Sequence, residues 1–291
     1  MKLLYQRFLS FCILTFCLST MIQGTVQAAD KYEFQQDGES MTGFYKGMQM
    51  KNVYVALKER QDTYKVVTPS TKGSEVYYFN QNGVGDVFLG CGFVKISYYG
   101  QKQTYYLQDG EVITNKIVGN KKQGYYYVDT SGVRVIDQNI KLAVKFVRSH
   151  TKSSDSKSQK LEKCYYYLSK KYKYKRYYTN LYPKAKDMKS MAHDMFSKKK
   201  GNCHRYAACF AYIARVLGYD TKVVVGDISS SRGGMTPHGW TELKNGGTWY
   251  VCDPDMEMNG FASYMKTTTP CRTTVTRKCT MVVKNGKVIW K

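Results

Sequence analysis

The chain has 291 residues and carries 45 lysines and arginines against 22 aspartates and glutamates, a formal net charge of +23. This length accommodates one large domain or two ordinary ones. So basic a chain is attracted to polyanions, whether nucleic acid, anionic lipid or an acidic envelope polymer. The N-terminal residues carry an export pattern, which excludes nucleic acid from these partners.

Residues 1–28 have the pattern of a secretory signal peptide. Lys2 and Arg7 give a positive start, residues 8–18 are mostly apolar, and Val26-Gln27-Ala28 offers small residues for cleavage after Ala28. The alternative is an uncleaved membrane anchor, which the short apolar run disfavours, and no later segment has the roughly 18 uncharged residues of a span. The sequence therefore predicts a secreted, cell-wall-associated protein with no membrane span after signal removal and no nucleic-acid partner.

Nine cysteines occur, two of them in the signal peptide, so seven would stay in the mature chain. An odd number leaves at least one thiol unpaired within the monomer. Cys203 and Cys209 fall on one predicted helix, too far apart along its axis for a bridge, whereas Cys271 and Cys279 are a candidate pair. No pair has the CxxC spacing of a structural zinc site, so we predict neither a metal nor a cofactor.

From Tyr32 to about Asp137 the chain repeats a short phrase in which aromatic residues precede a turn. The copies are Tyr32-Glu33-Phe34 before Asp37-Gly38, Tyr77-Tyr78-Phe79 before Asn82-Gly83, Tyr105-Tyr106-Leu107 before Asp109-Gly110, and Tyr126-Tyr127-Val128 before Gly132. Aromatic strands that end in Asn-Gly or Asp-Gly indicate β-hairpins. Their repetition predicts an all-β module over residues 29–137, in which stacked hairpins bury one another's aromatic faces.

These phrases resemble the tyrosine-rich repeats of the cell-wall-binding and glucan-binding modules of Gram-positive surface proteins. The resemblance implies a module that holds the protein on an anionic cell-wall polymer or a glycan and does no chemistry. In choline-binding members, tryptophans and tyrosines form a cage for a quaternary ammonium by cation–π attraction; this segment has no tryptophan. The alternative is that the aromatic residues only fill a thin hairpin core.

After Asp137 the apolar spacing becomes helical, and we place the start of a second domain, residues 138–291, there. Three apolar stripes are interpreted as core packing: Ile140, Val144 and Val147; Leu161, Cys164, Tyr165, Leu168 and Tyr172; and Met188, Met191, Ala192, Met195 and Phe196. A further helix begins at Cys203, with Asn202 as its N-cap and Gly218 closing it.

Cys203 at a helix start is the candidate nucleophile. The unpaired amides and the dipole of the helix favour an anion there, so they lower the thiol pKa and could hold a developing oxyanion. Cys209 has no such placement and is interpreted as an ordinary buried cysteine. His204 is expected to point elsewhere on the helix, with no catalytic role. A metal site made of Cys203, His204, His238 and Cys252 has no recognised spacing, and we do not predict one.

A hairpin is expected to bring a base and a carboxylate together. Residues 241–243 and 248–251 read as strands on either side of Asn245-Gly246, the preferred pair for a two-residue type I′ turn. With that turn, His238 lies directly opposite Asp253, close enough for a carboxylate–imidazole hydrogen bond. The alternative turn at Gly246-Gly247 would place His238 opposite Asp255; we reject it because Pro254 cannot donate to the ladder.

Each of these side chains then receives a role. Asp253 fixes the imidazole tautomer, and His238 holds Cys203 as a thiolate and later protonates the leaving amine. Trp240 lies on the same face of the strand and is expected to wall the substrate site. The Gly/Ser-rich residues 229–236 are expected to form a flexible lid or a substrate rim.

Three motifs together resemble the transglutaminase-like superfamily: Gly201-Asn202-Cys203 with Tyr206-Ala207, His238-Gly239-Trp240, and Asp253-Pro254. The resemblance covers roughly residues 161–260. It implies a papain-like α+β fold, with helices packed on an antiparallel sheet, and a catalytic triad of Cys203, His238 and Asp253. The family includes protein cross-linkers, peptidases, amidases and members without activity, so the resemblance does not settle the reaction.

The sequence thus predicts a secreted cell-envelope cysteine enzyme that attacks amide bonds of protein or peptide substrates through a thioester. Water as acceptor would make it a peptidase or amidase, and an amine would make it a transglutaminase. Hydrolysis is favoured because nothing indicates a calcium site or a second-substrate pocket. The alternative is a non-catalytic envelope-binding or adhesion protein that retains the domain for structure; the intact Cys-His-Asp set argues against it.

Overall fold

The structure is a computed structural model that describes residues 32–37, 40–61, 63–231 and 233–291. The predicted signal peptide, residues 1–28, lies outside the described residues. Within the described ranges, none of the helices has the length and apolarity needed to cross a bilayer.

The described residues before the first helix form twelve strands. They are β1 (Tyr32–Asp37), β2 (Ser40–Tyr45), β3 (Met48–Gln49), β4 (Val53–Arg60), β5 (Thr63–Val66), β6 (Glu75–Phe79), β7 (Val84–Val87), β8 (Gly92–Tyr98), β9 (Gln101–Gln108), β10 (Glu111–Val112), β11 (Lys116–Asn120) and β12 (Gly124–Val128). Ten of them join one sheet in the order β1-β2-β7-β6-β4-β8-β9-β10, with β3 on β2 and β5 on β4, and β11 pairs with β12 separately. Three of the four predicted repeat phrases therefore lie in one sheet, in β1, β6 and β9, and the fourth lies in β12 of the separate hairpin.

The ten-stranded sheet buries apolar side chains on both of its faces. Along β4, Val55 and Leu57 belong to one cluster and Ala56 to another, as the alternation of side chains along a strand requires. Phe79 fills the first cluster so closely that a Cβ on Gly85 would lie 2.5 Å from its ring. The aromatic repeats thus provide core packing as well as surface.

The remaining residues form helices around a second sheet. The helices are α1 (Gln138–His150), α2 (Lys157–Lys171), α3 (Met188–Lys198), α4 (Cys203–Val216) and α5 (Pro254–Met258), with a 3₁₀ turn at Ala185–Asp187. The strands are β13 (Lys173–Tyr174), β14 (Lys200–Gly201), β15 (Asp220–Ser229), β16 (Met235–Asn245), β17 (Thr248–Cys252), β18 (Thr273–Lys284) and β19 (Lys287–Trp290). An antiparallel five-stranded sheet has the order β17-β16-β15-β18-β19.

Helix α4 lies at the centre of this α+β part. Every one of its residues except Arg205 is buried, because α1, α2 and α3 enclose it on one side and β15 and β16 on the other. The helix begins at Cys203, as the sequence predicts, and the Asn202 side chain caps it by accepting from the backbone N–H of Arg205 at 3.4 Å. Gly201 is needed just before the cap, since a Cβ there would lie 2.8 Å from Met195 Sδ.

The predicted register of the β16–β17 hairpin is wrong. Asn245 pairs with Thr248, so the two central turn residues are Gly246 and Gly247, with φ angles of +55° and +91°. A type I′ turn requires positive φ at both central positions, and two glycines meet this requirement without steric strain. The objection from Pro254 falls away because pairing stops at Cys252, before the proline.

The hairpin of β11 and β12 packs on the helical part. Tyr127 and Val135 are buried in the same core as α1 and α4. The Tyr127 hydroxyl donates to Asn115 Oδ1 at 2.7 Å, and Asn115 Nδ2 donates to the carbonyl of Gly218 at 3.3 Å. The boundary predicted at residue 137 coincides with the N-cap of α1, where Asp137 accepts two backbone N–H groups, but apolar packing continues across it.

Candidate active site

Cys203 lies at the base of an open cleft of about 520 Å³. Its position as the first residue of α4 sets its thiol at the helix N-terminus, and only 4% of the residue is exposed. Tyr174, Arg176 and residues 228–231 line the same cleft. A substrate that enters the cleft can therefore reach a thiol that is otherwise shielded from bulk water.

His238, near the start of β16, lies next to this thiol and is the candidate base. Its Nε2 lies 2.6 Å from Asp253 Oδ2, and both side chains are almost completely buried. Burial alone would lower the pKa of His238, but the negative charges of Asp253 and Cys203 outweigh burial, so the pKa is raised well above its usual value. The imidazole is therefore held in its charged form, with Nε2–H donating to Asp253.

Asp253 reaches His238 from a helix cap and not from a strand. Its Oδ1 accepts the backbone N–H groups of Asp255 at 3.2 Å and Met256 at 3.1 Å, which makes it the N-cap of α5. The Tyr165 hydroxyl donates to the Asp253 carbonyl at 2.9 Å. The sequence predicted that His238 and Asp253 are directly opposed strand residues, but strand pairing ends at Cys252. The two side chains meet because the chain turns after Cys252.

The surroundings lower the pKa of the Cys203 thiol to about 5. Burial acts in the opposite direction, but the charge of His238 and hydrogen bonding with His204 and His238 outweigh it. The buried thiols of Cys209 and Cys164 have no such neighbours, and burial raises their pKa values, to about 12 for Cys164. The electrostatics therefore separate Cys203 from these two cysteines.

His204 was expected to point away from the site, and this expectation is wrong. Its Nδ1 lies 3.6 Å from Cys203 Sγ, and only 1% of the residue is exposed. The space for its ring comes from Gly239, where a Cβ would lie 2.4 Å from His204 Cδ2. The bare glycine between His238 and Trp240 is the one sequence signal that could have indicated a side chain packed across from β16.

Asp255 is the second residue that sequence reasoning set aside. It is 6% exposed, lines the floor of the cleft, and its Oδ2 lies 3.9 Å from His238 Nδ1. Burial, together with the charges of Asp253 and Cys203, raises its pKa to about 8. Two carboxyl groups therefore flank one imidazole, with Asp253 on Nε2 and Asp255 on the side of Nδ1. The Asp253-Pro254-Asp255 sequence was the available signal.

Trp240 supports the site from behind. It is 1% exposed and packs with Val224 and Val251, and its ring lies 6.3 Å from that of His238 in a stacked orientation. It is not among the residues that line the cleft. The expectation that Trp240 walls the substrate site is therefore wrong. Its ring instead packs against the imidazole of His238 as apolar support.

The Gly/Ser-rich loop lies at the rim of the cleft, since Ser229, Ser231 and Thr236 are among its lining residues. Cys271, a candidate for a disulfide with Cys279, also lines the cleft as a free thiol, while Cys279 is buried in β18. The proposed pair is therefore not joined.

One group of side chains in the described residues has the spacing of metal ligands. One donor atom each from Cys203, His238 and Asp255 lies within 4.8 Å of the other two. The combination considered from sequence differs, since it contained His204 and Cys252 and lacked Asp255. The chemistry of the arrangement is otherwise that of an activated thiolate beside an imidazolium.

Comparisons with known proteins found a family match and a similar solved structure. Residues 144–254, which include Cys203, His238 and Asp253, match the family model of the Transglutaminase-like superfamily. No curated protein matches the chain. A solved structure of a "putative cysteine protease" from Cytophaga hutchinsonii is similar over 53% of this chain and 55% of its own length, with 15% sequence identity and a TM-score of 0.32. The chain therefore contains a transglutaminase-like domain at residues 144–254.

Proposed function

We propose that this protein is a cysteine enzyme that acts on amide bonds through a thioester formed on Cys203. The observation that carries the proposal is the buried array at the base of the cleft, in which Cys203 neighbours His238 and His238 Nε2 lies 2.6 Å from Asp253 Oδ2. The lowered pKa of Cys203 makes the thiolate available at neutral pH. The match to the transglutaminase-like family supports the assignment.

The geometry supports a two-stage reaction. The Cys203 thiolate attacks the amide carbonyl carbon, a C–S bond forms and the C–N bond breaks, and His238 gives its proton to the departing amine. In the second stage neutral His238 takes a proton from the acceptor, the acceptor oxygen or nitrogen bonds to the carbonyl, and the thiolate leaves. Asp253 stabilises the imidazolium in both stages.

The acceptor distinguishes the two enzyme classes. Water gives a peptidase or amidase, and a primary amine gives a protein-crosslinking transglutaminase. We propose hydrolysis as the principal reaction on protein or peptide substrates. Both outcomes pass through the same acyl-enzyme, so the test of the nucleophile and the test of the acceptor are separate.

The nucleophile is tested with Cys203→Ala and, as a matched control, Cys91→Ala, which removes an exposed thiol outside the cleft. On a panel of peptide and glutamine amides, we expect turnover to vanish in Cys203→Ala and to persist in Cys91→Ala. Mass spectrometry of products formed with and without an added primary amine identifies the acceptor. Equal turnover by wild type and Cys203→Ala on every substrate would sink the proposal.

A substrate-free measurement tests the activation of the thiolate. Iodoacetamide at about pH 6 should label Cys203 faster than the other six described cysteines, because its pKa of about 5 leaves it mostly ionised. Asp253→Asn removes the charge that stabilises the imidazolium and should slow this labelling. Uniform, slow labelling of all thiols would instead favour the non-catalytic, envelope-binding alternative.

We also propose that the protein is exported and held at the cell envelope by its N-terminal part. Aromatic side chains there form a contiguous group, with ring centroids 5.6 Å apart for Tyr32 and Tyr99 and 4.7 Å for Tyr98 and Tyr99, and Tyr99 is 43% exposed. Rings of this kind can stack on sugars.

N-terminal sequencing of the exported protein should begin at Ala29. In a sedimentation assay with purified cell walls, Tyr32→Ala/Tyr99→Ala should be retained less than wild type; equal retention would contradict this role of the rings.

A further inference from the structure

We infer that the floor of the cleft is a binding site for a thiophilic divalent cation of the Zn²⁺ class, with Cys203 Sγ, His238 Nδ1 and an Asp255 carboxylate oxygen as its three protein ligands. Bound metal would mask the nucleophile and hold the enzyme in a reversible inactive state. That regulatory consequence rests on the function proposed above, whereas the binding of the metal does not.

The spacing of the three donor atoms fits such an ion. All three lie within 4.8 Å of one another, and His238 Nδ1 is 3.9 Å from Asp255 Oδ2. Tetrahedral zinc with sulfur, nitrogen and oxygen ligands places its donor atoms roughly 3.3–3.8 Å apart. The distance between His238 Nδ1 and Asp255 Oδ2 exceeds this range by only about 0.1–0.6 Å. The other two donor–donor distances would have to shorten by at most about 1.5 Å. The ligands need only side-chain movement.

The second shell of the site is also present. A metal-binding histidine usually donates its other ring N–H to a carboxylate, which fixes the ring and its tautomer. Here His238 Nε2 already contacts Asp253 Oδ2 at 2.6 Å, so Nδ1 is directed at the cleft floor. Asp253 is itself fixed as the N-cap of α5. The carboxylate that orients the base for catalysis would therefore orient it equally for a metal.

The fourth position of a tetrahedral ion would face the cleft. Cys203, His238 and Asp255 lie on the floor of an open space of about 520 Å³, so water or a substrate group can complete the coordination. Metal binding requires a thiolate and a neutral imidazole. The ion would thus replace the Nδ1 proton of His238 and the proton on the Asp255 carboxyl group, and both protons would pass to solvent. Metal and acylation would exclude each other because both use Cys203 Sγ.

Asp255 sets this arrangement apart from an ordinary thiolate–imidazolium pair. The proposed catalytic roles do not use its carboxylate, and it lies one residue beyond the segment that matches the family model. Removing it should leave Cys203, His238 and Asp253 in place while removing one of three metal ligands. Asp255→Asn, which keeps the size of the side chain, is therefore the diagnostic variant, and Asp86→Asn, a change at an exposed carboxylate in β7, is its matched charge control.

The experiment titrates the full mature chain with Co²⁺ and then with competing Zn²⁺. No substrate is present, and a non-thiol reductant keeps the cysteines reduced. We expect one equivalent of Co²⁺ to produce thiolate-to-cobalt charge-transfer absorption in wild type and Asp86→Asn. Asp255→Asn should bind at least about tenfold more weakly, and Cys203→Ser should lose the band. Binding of Zn²⁺ to the exposed Cys91 is removed by a Cys91→Ser background.

Three results would overturn the inference: a charge-transfer band that persists in Cys203→Ser, equal affinity of Asp255→Asn and wild type, or an equal loss in Asp86→Asn. A measurement on wild type alone covers the case in which a variant does not fold. Zn²⁺ should protect Cys203 from iodoacetamide and a chelator should restore labelling; labelling unaffected by Zn²⁺ would also overturn it. If Cys203→Ala retains full amide turnover, the proposed function fails while the metal titration still stands.

Discussion

At the scale of single residues, Cys203 lies between two imidazoles. His238 belongs to the array with Asp253, while His204 Nδ1 approaches the thiol from within α4 at 3.6 Å. His204 Nε2 is buried with no hydrogen-bond partner in the structure. A buried polar atom without a partner is unfavourable, so the ring is held there by packing, in the space left by Gly239. We regard His204 as a positioning residue for the thiolate.

Gly239→Ala tests this role without changing a titratable group. The added Cβ would meet the His204 ring at 2.4 Å, so the ring must move away from Cys203. We expect slower iodoacetamide labelling of Cys203 at about pH 6 and a loss of about 1–3 kcal/mol of stability from overpacking. In the double variant Gly239→Ala/His204→Ala the stability should recover while labelling stays slow. Labelling at the wild-type rate in Gly239→Ala would contradict the role.

Asp255 should make the stability of the fold depend on pH. Its pKa is raised from 3.8 to about 8 in the folded chain, so between about pH 4 and pH 8 the folded state retains a proton that the unfolded state releases. The free energy of unfolding should therefore fall as pH rises through this window. Asp255→Asn lacks the titration, so its stability relative to wild type should increase from pH 4.5 to pH 8. Urea unfolding at both values, with a chelator present, measures this, and a constant difference would refute it.

At the scale of elements, the site depends on where β17 stops. Pairing with β16 ends at Cys252, and Asp253 leaves the ladder to cap α5. Because a cap directs its side chain back to the first backbone N–H groups of the helix, one Asp253 oxygen binds the helix and the other binds His238. A strand residue could not make both contacts.

The turn between β16 and β17 gives a prediction about its two glycines. Gly246 has φ of +55°, a value that asparagine tolerates, while Gly247 has φ of +91°, which favours glycine alone. We expect Gly246→Asn to be nearly neutral and Gly247→Ala to lower the free energy of unfolding by about 1 kcal/mol or more. Chemical denaturation measures both. A larger loss in Gly246→Asn than in Gly247→Ala would contradict the observed register.

At the scale of the whole molecule, the helical core extends past the predicted domain boundary. Tyr127 of β12 is completely buried among residues of the C-terminal part, and Val135 is 4% exposed. The backbone N–H of Gly286 also donates to Asp129 at 2.8 Å. The β11–β12 hairpin, although it lies in the predicted repeat module, therefore supplies part of the core beneath the site.

Two fragments test this assignment. A fragment of residues 138–291 loses Tyr127 and Val135, whereas a fragment of residues 114–291 retains them along with both strands of the hairpin. We expect the shorter fragment to be less stable by roughly 3–5 kcal/mol, the usual effect of removing a large buried aromatic side chain. Urea unfolding followed by tryptophan fluorescence compares the two. Equal stability would show that residue 137 is an adequate boundary.

The sequence by itself determined the α+β character of the C-terminal part, the start of α4 at Cys203 and the candidate residues His238 and Asp253. These follow from local rules: apolar periodicity, an asparagine N-cap, and short motifs whose residue types suit nucleophilic chemistry. The same local rules predicted hairpins in the N-terminal part, since each aromatic phrase ends in its own turn.

Only the tertiary structure decided how the side chains meet. The choice between two adjacent turn positions depends on small differences in backbone strain, so the register of β16 and β17 could not be obtained from Asn245-Gly246 alone. The places of His204 and Asp255 beside the thiol depend on the packing of α4 against β16 and on the chain turn after Cys252. The proximity of Gly239 to His204, and of Asp255 to Cys203, joins residues distant in sequence, and local patterns carry no information about such distances.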